Sequence, residues 1–181
     1  VNNALKGVGR VTRYAKEIRI YDPYLAALRN VERFRLNLEH LFNKIILPTN
    51  IWKKSQKKIT IYTLAEPIRL GSRDRELSKR DRARAKKEWD KIRKDWNRKY
   101  GNVEINLKLL DEVEGKPKVF RSRYLYAVQY AFLTFTKGFD FFRYDKRSHA
   151  LKKNVQAGNQ ISLGYAPAQN IEQIEKLPEA C

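Results

Sequence analysis

Apolar and polar positions change period several times along the chain, and each change predicts an element. Ile18 and Ile20 alternate with Arg19 and Tyr21 and run into Asp22-Pro23, which predicts a short strand stopped by a proline. Val31, Phe34, Leu38, Leu41, Phe42 and Ile45 follow the three-four spacing of a helix with one apolar face, and Pro48 ends it. Ile59 to Leu64 alternates β-branched and aromatic residues with period two and is followed by Pro67 and Gly71, a second strand. From about Arg73 to Tyr100 the chain has no proline and no glycine and is dense in Lys, Arg, Glu and Ala, which predicts a long helix stopped at Gly101. Val103, Ile105, Leu107 and Leu109 then alternate as a third strand. Val119–Ala127 and Gln129–Phe135, with a break near Val128, predict a hairpin after a turn at Glu114 to Pro117. A sixth strand is expected at Gln160–Leu163, between Gly158 and Gly164, and a terminal helix at Ile171–Leu177.

The order βαβαβ, then ββ, then β, predicts an α/β fold: a mixed sheet of about six strands flanked by helices. The 181 residues suit a single domain, residues 1–181, with one core and no need of staples. With no Met anywhere and Val at position 1, the chain is expected to be a piece of a longer protein whose other domains are neighbours. A hydrophobic content of 42% excludes disorder throughout. No run approaches about eighteen apolar residues and no basic-then-apolar leader is visible, so a cytoplasmic location is expected. Cys181 is the one cysteine, which removes internal disulfides and cysteine-based zinc sites.

Charge changes the picture most. There are 39 Lys and Arg against 20 Asp and Glu, a net charge of +19, which points to an anionic polymer or surface as partner. At 100° per residue the long helix sorts its residues into two opposed stripes. Ala85, Trp89, Ile92 and Trp96 form one, and the aromatic pair is expected to pack in the core rather than to stack on bases. Arg80, Arg84, Lys87, Lys91, Lys94 and Arg98 form the other. That stripe reads either as a solvated face, with Asp81, Glu88, Asp90 and Asp95 as local ion pairs, or as a surface that tracks phosphates. Further candidate anion contacts are Lys137 and Arg143, beside Phe139, Phe141, Phe142 and Tyr144, and an expected basic loop from Lys146 to Lys153 carrying Arg147, His149, Lys152 and Lys153.

Common catalytic signatures are missing. His40 sits close to the apolar stripe of its helix as a boundary residue, and His149 lies among cations. Neither has a partner at metal-ligand spacing, so no metal and no cofactor is expected. No phosphate-cradling Gly-x-x-x-x-Gly-Lys loop and no Gly-x-Ser-x-Gly elbow occurs. A nuclease-like trio of Asp22, Glu114 and Lys116 is undercut by Gly115 and Pro117, which mark a turn where a strand would be needed to align the side chains.

Three segments, Ile18-Arg-Ile-Tyr-Asp-Pro-Tyr-Leu25, Phe120-Arg-Ser-Arg-Tyr-Leu125 and Phe135-Thr-Lys-Gly-Phe-Asp-Phe-Phe142, occur in an order and at spacings spread over most of the chain. Together they resemble a phospholipase D-like domain, in the half-size form found C-terminal to microtubule-interacting-and-trafficking domains. The resemblance implies that the catalytic His-x-Lys, with Asp five residues after the Lys, corresponds here to Arg121, Arg123 and Val128. An arginine stays protonated and cannot attack phosphorus. Two residues apart on a strand, Arg121 and Arg123 would share a face as an anion clamp or stand as two solvated arginines on an edge strand. By the same resemblance Asp22 and Asp140 neighbour them, as partners of the arginines or as residues that shape the loop.

These readings converge on a non-catalytic module that binds DNA or RNA by its phosphates, a pseudoenzyme more than an enzyme. Two alternatives stand beside it. One is a phospholipase D-type nuclease or phosphodiesterase that pairs with a second copy to complete its site. The other is a module for anionic, phosphoinositide-bearing membranes, which would turn the apolar stripe of the long helix toward lipid.

Overall fold

The computed structural model describes residues 2–25, 31–48, 56–64, 79–111, 123–136, 142–145, 147–148, 150–153, 161–164 and 168–179. Among the described residues the strands are β1 Glu17–Tyr21, β2 Lys57–Leu64, β3 Val103–Leu110, β4 Arg123–Ala127, β5 Ala131–Phe135, β6 Phe142–Asp145, β7 Ala150–Lys153 and β8 Ile161–Gly164. The helices are α1 Asn2–Thr12, α2 Val31–Leu41 running on into a π-helical turn at Phe42–Ile46, α3 Lys79–Lys99 and α4 Ala168–Glu175. Six strands form one mixed sheet in the order β3-β2-β1-β4-β5-β8. β1, β2 and β3 are mutually parallel, and β4, β5 and β8 continue the sheet antiparallel. The expected α/β fold, a mixed sheet of six strands flanked by helices, is therefore what the chain builds.

Period-two alternation decides which side chains meet which helices. Ile18, Ile20, Ile59, Ile61, Ile105, Leu125 and Leu133 gather with Val8, Leu38, Phe42, Trp89 and Trp96 in one buried cluster beneath α1, α2 and α3. The opposite face carries Tyr21, Tyr62, Tyr124 and Phe132, covered by Ile171 and Ile174 of α4. There the Tyr21 and Tyr62 rings stack at 4.8 Å, and the Tyr21 hydroxyl donates to Glu175, which also pairs with Arg19 at 2.8 Å.

Three features depart from the sequence reading or add to it. Helix α1 was not predicted, because Gly7 and Gly9 weaken its helical signal, yet Val8 and Thr12, four residues apart, are both buried against the sheet side. The expected basic loop Lys146–Lys153 is corrected: its second half is strand β7, in which Lys152 pairs with Arg143 and Lys153 with Phe142 of β6. A strand needs only paired backbone groups, so a lysine-rich run can form one when an aromatic strand lies beside it. The break near Val128 is a β-turn closed by the Tyr130 N–H donating to the Ala127 carbonyl at 2.9 Å. Its third residue, Gln129, takes φ 70°, the positive value that a type II turn demands there.

Helices α2 and α3 are joined through one carboxylate. Glu39 accepts from Arg35 at 2.7 Å, from Lys99 at 2.9 Å and from the Trp96 indole N–H at 3.1 Å. Burial alone would raise this carboxyl, but the bonds from Lys99 and Trp96 and the charge of Arg35 prevail and hold it below its ordinary value. Asn97, one residue along α3, addresses the outer edge of β3, donating to the Ile105 carbonyl at 2.9 Å and accepting from the Ile105 N–H at 2.8 Å. Further along that edge the Asp111 N–H donates to the Pro178 carbonyl at 2.9 Å.

Lys57 opens β2 as a fully buried residue, and its ammonium donates to the Thr12 carbonyl at 3.0 Å, at the C-terminus of α1. A cation there complements the helix dipole, but desolvation pushes its pKa down to about 8. Between pH 8 and about 10 the unfolded chain still carries the Lys57 proton that the folded protein has released. Stability is therefore expected to rise through that window, with this group contributing about 1.4 kcal/mol per pH unit. Above it the trend reverses, because burial raises Tyr21 and pushes Tyr62 up to about 12, so these tyrosines ionise in the unfolded chain first. Urea titrations of the wild type and Lys57→Met at several pH values check this. A slope that survives the substitution would remove Lys57 as its source.

Candidate functional site

The longest helix presents the densest run of cations. Among the 21 residues of α3, Ala85, Trp89, Ile92 and Trp96 are buried, as their spacing predicts. These four side chains pack toward the core. Arg84, Lys87, Lys91, Lys94 and Arg98 are all exposed on the far side. Arg80 belongs to the first turns of the same helix, and its side chain lies outside the described residues. From Lys87 to Arg98 the face extends over roughly 16 Å of helix axis. Two of the interleaved acids pair locally: Asp90 lies 3.5 Å from Arg93, outside the basic row, and Asp95 lies 3.9 Å from Arg98. Arg98 keeps 82% of its side chain exposed, so that contact is a weak surface pair. Among the described residues Lys87, Lys91 and Lys94 make no ion pair.

A second group stands at the end of the sheet where the parallel strands finish, the end at which open α/β sheets bind ligands. β1 passes there into Asp22, and β4, running the other way, starts there at Arg123. Asp22 is buried, and its Oδ1 accepts from the Tyr24 N–H at 2.9 Å. This bond shapes the turn that presents the Tyr24 ring, and the Arg123 guanidinium lies 4.8 Å from that ring's centre. Arg123 also donates to the Thr136 carbonyl at 3.1 Å, just past the end of β5. The guanidinium is thus oriented by a ring and a carbonyl while remaining partly exposed. Val128, the position that the resemblance matches to the family's aspartate, is at the opposite end of β4, with its N–H bonded to the Glu17 carbonyl at 3.0 Å.

The remaining predicted contacts are placed less fully. Arg143, Lys152 and Lys153 belong to the β6–β7 pair, with side chains outside the described residues. Arg147 is exposed at its tip, its N–H donating to Asp145 at 2.9 Å. Arg121, Lys137, Phe139, Asp140, Phe141, Lys146, His149, Glu114 and Lys116 lie outside the described residues altogether, as do residues 73–78 of the predicted long helix. His40 is half-buried on α2, with its pKa lowered by burial and by Lys44. Among the described residues no group of three or more His, Cys, Asp or Glu is placed to hold a metal, and no helix is long and apolar enough to cross a membrane.

Sequence reasoning did not single out two exposed rings, Tyr14 and Tyr130. Tyr14 follows α1, whose glycines dilute its periodicity, and Tyr130 closes the turn before β5, where the expected strand Gln129–Phe135 already includes it. The cation-rich context of Tyr14, with Arg10, Arg13 and Lys16 close by in the chain, was the signal that could have found it. Compared with known proteins, the sequence matches no family model and no curated protein.

Proposed function

We propose that this chain is a non-catalytic module that binds the phosphate backbone of DNA or RNA, built on a degenerate phospholipase D-like fold. The observation that carries this reading is the exposed face of α3, where Arg84, Lys87, Lys91, Lys94 and Arg98 stand opposite the buried Trp89 and Trp96. A solvated helix face is usually mixed in sign, and a net charge of +19 exceeds what solubility requires. A row of cations that neutralises successive phosphates releases counterions, which makes affinity electrostatic, steeply salt-dependent and weakly selective for sequence.

Arg123 supports the same reading with a different geometry. Oriented by Tyr24 and Thr136, it offers a planar fork that suits phosphate oxygens. Neither it nor Arg121 can supply a lone pair to phosphorus, so the site binds without turning over. Changing both arginines to Ala is expected to weaken oligonucleotide binding by about 1.5 to 3 kcal/mol per charge-assisted bond lost, and to leave background hydrolysis unaltered. The test incubates the protein with labelled oligonucleotides and, separately, with anionic liposomes, with and without a divalent ion. Oligonucleotide binding without cleavage is the expected result. Cleavage that disappears on Arg121 or Arg123 substitution would move the protein into the enzyme class, and binding to liposomes alone would replace nucleic acid with a membrane surface.

A further inference from the structure

At the end of the sheet opposite Arg123, two large aromatic rings stand in solvent against each other. Tyr14 is 51% exposed and Tyr130 is 58% exposed, and their ring centroids lie 6.4 Å apart at 34°. The Arg13 guanidinium lies 5.5 Å from the centre of the Tyr14 ring. Both tyrosines are carried by well-fixed backbone. Tyr130 closes the turn in which Gln129 takes φ 70°, and that turn is tied to β1 by the Val128 N–H on Glu17. Tyr14 follows the end of α1, where the Ala15 N–H bonds to the Thr12 carbonyl at 3.3 Å and the buried Lys57 holds that same carbonyl.

The surroundings are cationic. Arg10, Arg13, Lys16 and Lys58 are exposed, and the Lys58 N–H donates to the Lys16 carbonyl at 2.9 Å, which brings the start of β2 beside the tyrosine segment. The nearest acid in sequence, Glu17, is paired with Arg19 at 2.7 Å. Helix α3 returns the chain from the finishing end of β2 to the start of β3, so its C-terminal turn with Arg98 and Lys99 lies at this same end of the sheet. Crossing from β3 to β1 and β4 spans roughly 10 to 15 Å at the usual strand spacing, and the thickness of α3 above the sheet adds about 10 Å, a path that several nucleotides of flexible backbone can bridge.

We propose that Tyr14 and Tyr130 form a stacking platform for unpaired bases, so that the nucleic acid bound along α3 is single-stranded. The inference rests on the proposed phosphate-backbone binding and deepens it. Exposed rings beside cations grip single strands because every base offers a flat face, whereas the faces of bases in a duplex are already occupied by their neighbours. Binding to α3 alone would not distinguish the two forms; the platform does.

The test measures fluorescence anisotropy of a labelled oligo-dT and of a duplex of equal length. It compares wild-type protein, the pair Tyr14→Ala with Tyr130→Ala, the pair Tyr14→Phe with Tyr130→Phe, and charge reversal at Lys87, Lys91 and Lys94. Stronger binding of oligo-dT than of duplex by the wild type is expected. The alanine pair should weaken oligo-dT binding by roughly tenfold per ring, leave duplex binding and the salt slope unchanged, and keep the wild-type melting temperature, since both rings are exposed. The phenylalanine pair should bind like the wild type. If the alanine pair binds oligo-dT as well as the wild type while the α3 reversal still weakens binding, the platform is wrong and the basic face stands. If the wild type prefers duplex, the platform is likewise overturned. If it binds no oligonucleotide, the proposed function itself fails.

Discussion

Replacing Trp96 by alanine is expected to cost about 3 to 5 kcal/mol, a large fraction of the roughly 5 to 15 kcal/mol that ordinarily holds a domain folded. The ring is buried, meets Phe42 edge-on at 5.4 Å and Trp89 at 6.1 Å, and so belongs to the packing between α2, α3 and the sheet. Its indole N–H also donates to Glu39, the carboxylate that joins the two helices. Trp89 is equally buried but its indole nitrogen has no hydrogen-bond partner among the described residues. This difference gives the prediction an internal control. Trp89→Phe should lose mainly ring volume, whereas Trp96→Phe should lose in addition a bond to a charged group, about 1.5 to 3 kcal/mol. Urea denaturation followed by circular dichroism measures both. If Trp96→Ala keeps wild-type stability and loses only ligand, the apolar stripe of α3 is a binding surface after all.

Reversing Lys87, Lys91 and Lys94 to Glu together is expected to give the largest loss of nucleic-acid affinity. Each lysine is exposed and without an ion pair among the described residues, so the fold should be unaffected. If each neutralises one phosphate, the slope of log affinity against log salt flattens by about 3 on duplex, or about 2 on single strands. At low salt the three added carboxylates also repel the backbone, and binding should fall by orders of magnitude. Affinity measured from low to moderate salt for wild type and variant reads both effects. An unchanged slope would remove α3 as the footprint.

What could be read from the sequence follows the range over which each signal acts. The parallel core strands and both crossover helices were legible because their apolar residues keep a strict period over one element: Ile59 and Ile61 by two, Trp89 and Trp96 by seven. Helix α1 escaped because two glycines dilute a short pattern and because Thr12, a polar residue, is among those it buries. Strand β7 escaped because its evidence lies in another segment, the aromatic β6 that pairs with it. The basic face of α3 was visible as spacing alone, since a helix carries its own geometry. The setting of Arg123 was not: its ring partner Tyr24 is far away in sequence and its acceptor Thr136 lies across the β4–β5 hairpin, and both meet it only when β1, β4 and β5 come into register. The Tyr14–Tyr130 contact joins segments still further apart, and no periodicity records it.

Asn97 gives α3 a second duty. Its side-chain amide occupies the N–H and C=O of Ile105 as a neighbouring strand would, so the outermost strand of the sheet is guarded by the helix that carries the basic face. A chain whose α3 has come loose therefore bares an edge that can template a like strand from another molecule, and self-association competes with refolding. A ligand that holds α3 in place would act as a solubility factor as well as cargo, and the unliganded protein would be at greatest risk of aggregation when heated or crowded.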